Sequence, residues 1–396
     1  MSTTVQDWAA DYDIFDSAYV TDPYAIWDEL RETCPVTRTE RYGGSWLPTR
    51  YEDVTAVAHD IEHFSSRQVG VLPPDEDADT VLPAGLPPIS ADPPEHTWTR
   101  RLLLPWFSVR RVAEYETMTR ELCRRLVSEI VARGSGDAAA EYAQQIPVRV
   151  IGSVLGVPED LSDMFTGWVR DVLEFGYDQP RREKARNEIV AYFLGEMEQR
   201  RTNPGDDLIS ALLQTEIDGA PVPDGHILGT VALTLIAGVD TTWSGIGSAL
   251  WHLATHADDC RRLVAEPTLL PTAIEEMLRA YSPVTMARIV TTDVAVAGCP
   301  MQAGDRVLLS FAAANRDPAV FPDADRVVID RELNRHVAFG AGIHRCAGSN
   351  LARMELRVAL EEWLAQIPEF RLAEGSDVQW AGGQVRGPRQ LPVVFP

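Results

Sequence analysis

Few side chains in this sequence can do chemistry, and the most telling is a cysteine set among glycines. Residues 339–348 read Phe339-Gly340-Ala341-Gly342-Ile343-His344-Arg345-Cys346-Ala347-Gly348. Glycines at this density let a backbone come close to a large planar ligand, because no Cβ stands in the way. An amphipathic stretch from Asn350 to Leu364 follows, so Cys346 falls near a helix N-terminus, where N–H groups and the dipole favour a thiolate. The plainer alternative is a glycine-rich turn around an inert structural cysteine.

Three further groupings have useful spacing. Asp240 and Thr241 interrupt an apolar run in Ala237-Gly238-Val239-Asp240-Thr241-Thr242. On a helix the Thr241 hydroxyl can bond the carbonyl four residues back and make a polar notch, and Asp240 is a candidate general acid. Glu276 and Arg279, three apart, share a helix face and can pair, although such pairs are usually solvated. His96 and Arg100, four apart, share another face and suit an anion held by charge-assisted hydrogen bonds.

The elements that must position these groups are mostly helical. Apolar residues recur every three or four positions from about Glu95 to Leu270, including Val112 to Ala132, Ile189 to Glu198 and Leu208 to Leu213. Asp22-Pro23 opens an expected first helix running to Glu32. Val36 to Arg41 and Ser45 to Thr49, split by Gly43-Gly44, read as a hairpin. After Pro283 the texture turns to strand at Ile289 to Val296 and Arg306 to Ser310, and a short β tail covers Leu391 to Phe395. Prolines at 73, 74, 83, 87, 88, 93 and 94 make residues 68–94 a long loop. The expected class is mainly α with a smaller β portion (α+β). One interleaved domain covers 1–396, β-rich at about 36–50, 287–310 and 369–396 and helix-rich at about 95–282 and 349–366.

Composition narrows the partners. A net charge of −23 disfavours nucleic acid and anionic membrane. Five cysteines without a C-x-x-C argue against a disulfide framework or a zinc ribbon and favour a reducing cytoplasm. The N-terminus lacks a signal-peptide pattern. Residues 227–239 are apolar, but the run is shorter than the roughly 20 residues a bilayer needs, and Asp240 beside it fits a buried helix of a soluble protein.

The cysteine segment fits F-G-x-G-x-H-x-C-x-G, and with it the chain resembles the cytochrome P-450 family from about residue 22 to the end. The resemblance implies a haem b whose iron is ligated by Cys346, a thiolate that donates electron density and favours O–O cleavage. Phe339 and Gly348 then belong to the haem loop. Ala237-Gly238-Val239-Asp240-Thr241-Thr242 resembles the family's oxygen-activating segment, in which small Ala237 and Gly238 leave room for dioxygen and Asp240 and Thr241 deliver protons. Glu276 to Arg279 resembles its E-x-x-R, a structural pair that holds a downstream loop like Asn315-Arg316-Asp317-Pro318. Val327 stands where the family often has phenylalanine. Asp92-Pro93-Pro94-Glu95-His96 to Arg100 resembles its propionate-binding segment, with Arg288 and His344 as further propionate contacts.

By the same correspondence Leu233, Ile236, Ala237, Val284, Thr285 and Val385 line the substrate pocket, with Gln384 adding a polar contact. Residues 68–90 and 165–180 control access. The implied activity is a monooxygenase acting on a small or medium hydrophobic substrate, terpenoid, aromatic or steroid-like. Electrons come from a separate ferredoxin or flavodoxin-type protein docking near Arg100, Arg101, Arg110, Arg111, Arg345 and Arg353, and the chain is expected to be a monomer. Alternatives are a haem-thiolate peroxygenase, a nitrating or isomerising catalyst, or a non-enzymatic haem sensor or carrier.

Overall fold

The computed structural model describes residues 4–74, 82, 84–175 and 177–396. Its longest element is the 32-residue helix Asp224–Thr255, whose apolar side chains are buried on nearly every face. A helix apolar all round belongs inside a large protein or a membrane. Here 83% of its most apolar window is buried by the rest of the fold, as a core helix requires. Helices Gln145–Leu155, Ser162–Leu173, Gln179–Thr202 and Ser349–Gln366 pack against it. Val109–Val131 in turn packs on Ser349–Gln366, the helix that follows the cysteine loop.

The largest sheet has the spatial order Val36–Thr39, Ser45–Pro48, Arg306–Ser310, Thr285–Val290, Phe64–Ser65. The first pair is the expected hairpin, with Val36 opposite Pro48 and both turn glycines at positive φ. Arg306 to Ser310 runs antiparallel to Thr285 to Val290, with Val307 opposite Arg288. Several sequence expectations need correction. A short helix, Ser17–Thr21 capped by Asp16, precedes Tyr24–Thr33, so the helix after Asp22-Pro23 is the second. The span Ile289 to Val296 is two strands, because exposed Thr291 to Asp293 divide the sheet strand from a separate Val294–Val296/Cys299–Met301 hairpin. The helix-rich half also carries strands: Glu216–Ile217 pairs with Ala220–Pro221, and Ser135–Asp137 pairs with C-terminal Pro392–Val394.

Two features of the fold bear directly on the site. Glu276 and Arg279, on helix Leu270–Ala280, are both fully buried and paired in bidentate fashion at 2.8 Å. Arg279 also donates to the carbonyls of Asn315 (2.8 Å), Ala324 (2.9 Å) and Arg326 (2.6 Å). Glu276 accepts from Val328 N–H, Arg331 and Asn334 at 2.8, 2.9 and 3.1 Å. The pair thus ties one helix to the whole 315–334 loop, and every strong polar group in it is satisfied, which a buried ion pair needs. The second feature is the C-terminal hairpin Gln379–Ala381/Gly387–Gln390. A Cβ on Gly387 would run into Ser244, and one on Gly247 would meet Pro388 at 2.9 Å. Those two glycines let the hairpin backbone lie directly on the long helix.

Candidate active site

The cysteine loop is shaped by backbone. Gly342 has φ +68°, and any Cβ there would strike the Ala58 carbonyl on helix Tyr51–His59, so glycine is obligatory. Cys346 N–H donates to the Phe339 carbonyl at 2.8 Å, which closes the loop. Phe339 stacks under the Arg353 guanidinium, 4.4 Å from its ring centroid. The Cys346 side chain is exposed. Enough protein still surrounds the sulfur that desolvation raises its pKa, against the pull of the Gly348 N–H and of Arg100, Arg345 and Arg353. Proximity to helix Ser349–Gln366 therefore does not make the free thiol acidic, and a thiolate here calls for a further positive charge at sulfur.

Beside the loop lies a set of cationic and imidazole groups, with Asp92 the one carboxylate that acts on Arg288 and His96 among the described residues. His96 and His344 have ring centroids 4.3 Å apart, and the Nε2 atom of each is buried with no hydrogen-bond partner. Burial, then repulsion from Arg288, His96 and Arg100, pushes His344 down to about 3. Burial and Arg100 also lower His96. Arg288 is 4% exposed, and among the described residues its guanidinium bonds only the neighbouring Ala287 carbonyl. Burial alone pulls it down to about 10, with Asp92 opposing. Arg100 donates to the Arg345 carbonyl, joining its helix to the cysteine loop. Orphaned buried donors of this kind are rare and costly. An anionic ligand beside His96, His344, Arg100 and Arg288 would satisfy them, as haem propionates do.

The long helix supplies the opposite chemistry. Amid buried neighbours, Ala237 is exposed and Thr241 partly so, with Leu233 and Ile236 at 9% on the same helical face. Thr241 Oγ1 donates to the Ala237 carbonyl at 2.8 Å while the helix stays continuous, as it does where Thr230 and Thr234 make the same bond. Gly238 corrects the sequence reading. Its Cβ direction runs into Ile151 of helix Gln145–Leu155, so its smallness serves helix packing and not a ligand. Asp240 is fully buried. Arg389 Nη2 donates to its Oδ1 at 2.6 Å, while Oδ2 has no partner. Burial pushes Asp240 up to about 6, opposed by Arg389 and reinforced by Glu174.

Arg389 and Glu174 are site residues that sequence reasoning missed. Arg389 bonds Glu174, at the end of helix Ser162–Leu173, and donates to Ser244 Oγ at 3.0 Å. Its guanidinium lies 4.1 Å from the Trp243 ring centroid. No local pattern links a C-terminal arginine to Asp240; only the hairpin's seat on the helix does. His226, bonded to Thr99 at 2.6 Å and with its ring tilted against Trp98 at 4.1 Å between centroids, ties helix Glu95–Leu103 to the long helix and was also unforeseen.

Other expected pocket residues do come together. Val284 bridges Val385, and Thr285 N–H donates to the Gln384 carbonyl at 3.0 Å. Gln384 Nε2 contacts Met286 Sδ at 3.6 Å, which adds Met286 to the set. Of the proposed access segments, residues 75–81, 83 and 176 lie outside the described residues. Gly85 presses its carbonyl against Gly229 of the long helix, and Phe165 to Leu173 belongs to the helix Ser162–Leu173. The six arginines divide: Arg111 pairs with Glu114 (2.6 Å) and Asp206 (3.2 Å), and Arg353 with Glu275 (2.6 Å), so these two are committed to their neighbours. Arg101, Arg110 and Arg345 are exposed, with no acidic partner among the described residues.

A thiol in a glycine-shaped loop beside two unpartnered buried imidazoles, together with an acid–alcohol pair on the long buried helix, fits a thiolate-ligated haem enzyme. A family model described as cytochrome P450 matches residues 159–378. The mycinamicin IV hydroxylase/epoxidase of Micromonospora griseorubida is 38% identical over 93% of this chain and 94% of its own length. The vitamin D(3) 25-hydroxylase of Pseudonocardia autotrophica is 38% identical over 97% and 96%. The structure of CYP109E1 from Bacillus megaterium in complex with testosterone superposes with a TM-score of 0.88 at 32% identity, covering 94% and 98%. The chain belongs to the cytochrome P450 family and is a monooxygenase that uses haem b.

Proposed function

We propose that this enzyme hydroxylates an unactivated C–H bond of a bulky hydrophobic substrate of the steroid or macrolide class, as one interleaved, monomeric domain. The observation that carries the reading is the pairing of Asp240 and Thr241 beside an accessible, apolar helix face. Cys346 would ligate the haem iron through its thiolate, and His96, Arg100, Arg288 and His344 would hold the propionates. When bound, the haem supplies dioxygen binding and cleavage at its iron. Asp240, with one oxygen unpartnered among the described residues and a pKa raised to about 6, takes protons inward from solvent and passes them on. Thr241 orients them through its hydroxyl. Leu233, Ile236, Val284, Thr285 and Val385 exclude water and seat the substrate, and Gln384 orients a polar group on it. The relatives' names, which include a macrolide hydroxylase, a vitamin D hydroxylase and a steroid C26-monooxygenase, support a larger polycyclic or macrocyclic molecule over a small one.

Electrons come from a separate acidic iron–sulfur or flavin protein. Arg101, Arg110 and Arg345 would meet it, with Leu104 at 45% and Val109 at 73% exposed as apolar contacts in the same stretch. On a protein of net charge −23 such a basic, apolar patch favours steering of an acidic partner. The first test is the reduced, carbon monoxide-bound spectrum. A strongly red-shifted Soret band that Cys346→His abolishes is expected, and a histidine-type band in the unaltered, well-folded protein would overturn the assignment. Testosterone, vitamin D3 and a mycinamicin-type macrolide are then titrated for displacement of iron-bound water. Saturable shifts with at least one are expected; binding confined to charged, hydrophilic compounds would refute the substrate class.

A further inference from the structure

The five cysteines fall into three kinds. Cys346 belongs to the haem loop. Cys123 and Cys260 are buried, and burial pushes their thiols up to about 12 and about 11. Cys34 and Cys299 are partly exposed, and although distant in sequence they converge on one atom. Cys34 Sγ donates to the Val36 carbonyl at 3.7 Å, and Cys299 Sγ donates to the same oxygen at 3.8 Å.

Sheet geometry explains why that oxygen is available. Thr49 N–H donates to the Pro35 carbonyl at 2.9 Å, which makes Pro35 and Thr49 a hydrogen-bonded rung. The next residue, Val36, therefore turns its carbonyl away from Ser45–Pro48. Val36–Thr39 is the edge strand of the five-stranded sheet, so no further strand serves that side. A buried carbonyl must find donors somewhere, and the two thiols are the ones it has. Both are held by rigid elements. Cys34 caps the end of helix Tyr24–Thr33, and Cys299 opens a strand fixed by the tight Ala297-Gly298 turn. Cys299 packs against the same apolar cluster that contains Val36.

We propose that Cys34 and Cys299 are a redox-responsive thiol pair that closes reversibly to a disulfide under a two-electron oxidant of the peroxide class. One sulfur attacks the peroxide, an S–O bond forms as the O–O bond breaks, and one water leaves. The second sulfur then displaces the hydroxyl from that sulfenic acid, the S–S bond forms, and a second water leaves. The two thiols lose two electrons and two protons in all, and the peroxide takes them up. Burial, then Cys34 and Asp53, raise the Cys299 thiol, which makes Cys299 the resolving partner in this order. Closure removes both S–H donors from the buried Val36 carbonyl, so the oxidised state carries a penalty and a dithiol reductant reopens it.

The test uses the full haem-loaded chain, treated with hydrogen peroxide, and in parallel with diamide, which takes the same two electrons and becomes its hydrazine. After alkylation and tryptic digestion, the expected product joins the peptide from Glu32 to Arg38 to the peptide from Ile289 to Arg306. It should form faster as pH rises, vanish on treatment with dithiothreitol, and be missing in Cys34→Ser and Cys299→Ala. Cys123 and Cys260 should remain alkylatable only after unfolding. The proposal is overturned if each thiol oxidises separately with no joined peptide at any dose of either oxidant, or if either pairs with Cys346 or with a second chain instead. This readout does not depend on turnover.

Discussion

Two buried arginine–carboxylate contacts carry the same desolvation cost and resolve it in opposite ways. Every side-chain oxygen and nitrogen of Glu276 and Arg279 finds a partner, among three backbone carbonyls, a backbone N–H, two further side chains and each other. Burial alone would raise Glu276, but the Arg279 hydrogen bonds and charge, then Val328 and Arg331, outweigh it and hold Glu276 below the usual carboxylate range. Asp240 receives Arg389 on one oxygen and nothing on the other, and burial wins. A closed network fixes a fold. One left open by a single oxygen can exchange a proton close to neutral pH, which a proton-delivering group requires.

The hardest blow to the closed network is Arg279→Leu. It strips three carbonyls of their donor and leaves the Glu276 charge half-compensated. Breaking a buried pair from one side costs about 3–5 kcal/mol, so we expect a large fall in melting temperature and poor haem retention. Arg279→Lys should rescue little, because one ammonium cannot replace a bidentate fork and three further bonds. If Arg279→Leu melts like the unaltered enzyme, the distinction between the two networks collapses.

Asp240→Asn should do the reverse: fold intact, chemistry damaged. General acid–base groups contribute about 10²–10⁴-fold, so coupled product formation should fall by about 10²-fold or more at unchanged substrate affinity. Stability should move with pH in a stated direction. The folded pKa is raised to about 6 from 3.8, so the acid's contribution is fully present below the lower value and lost as pH rises through the higher. Asparagine does not ionise, so Asp240→Asn should gain about 2–3 kcal/mol on the unaltered enzyme between pH 3 and pH 8. Glu276, with its lowered pKa, has the opposite sign: its stabilisation is present above the unfolded value and lost as pH falls through the folded one. Denaturant melts across that range separate the two.

Thr241→Ala sharpens the comparison inside the open network. It removes one hydroxyl and no charge, so stability should barely change. Electron consumption should continue while product per electron falls several-fold, with peroxide released instead. An unchanged product-to-electron ratio would remove Thr241 from the proton route.

The contrast also shows what sequence makes legible. Cys346 and its glycines, Glu276 with Arg279, and Asp240 with Thr241 lie within short windows whose spacing is itself the information. The hairpin at Gly43-Gly44 and the helix Leu208–Leu213 are local in the same sense. What stayed hidden is long-range. The three carbonyls on Arg279 come from a loop without regular structure, and Arg389 reaches Asp240 only because Gly387 and Gly247 let a hairpin lie on the helix. Gly238 was misread for a related reason, since a small residue in a helix shows that something comes close without showing what. The short strand Ser135–Asp137 exists only through its C-terminal partner.

Arg389→Gln gives the smallest expected effect and the most specific one. Arg389 does not touch the reacting atoms; it positions Asp240, and its charge does most to lower the pKa of that acid. Glutamine keeps a hydrogen bond to Oδ1 but removes the charge, so Asp240 stays protonated to higher pH. The alkaline limb of the turnover profile should therefore move upward, while turnover at its optimum changes by less than the about 10²–10⁴-fold of a group that transfers the proton itself. Glu174→Gln should shift the same limb the other way, because Glu174 raises Asp240 and its removal leaves Arg389 free to pair with Asp240 alone. A substitution of the arginine and one of its partner Glu174, shifting the pH limb in opposite directions, are what an open network predicts. A purely structural cluster would leave the pH limb where it stands in both variants.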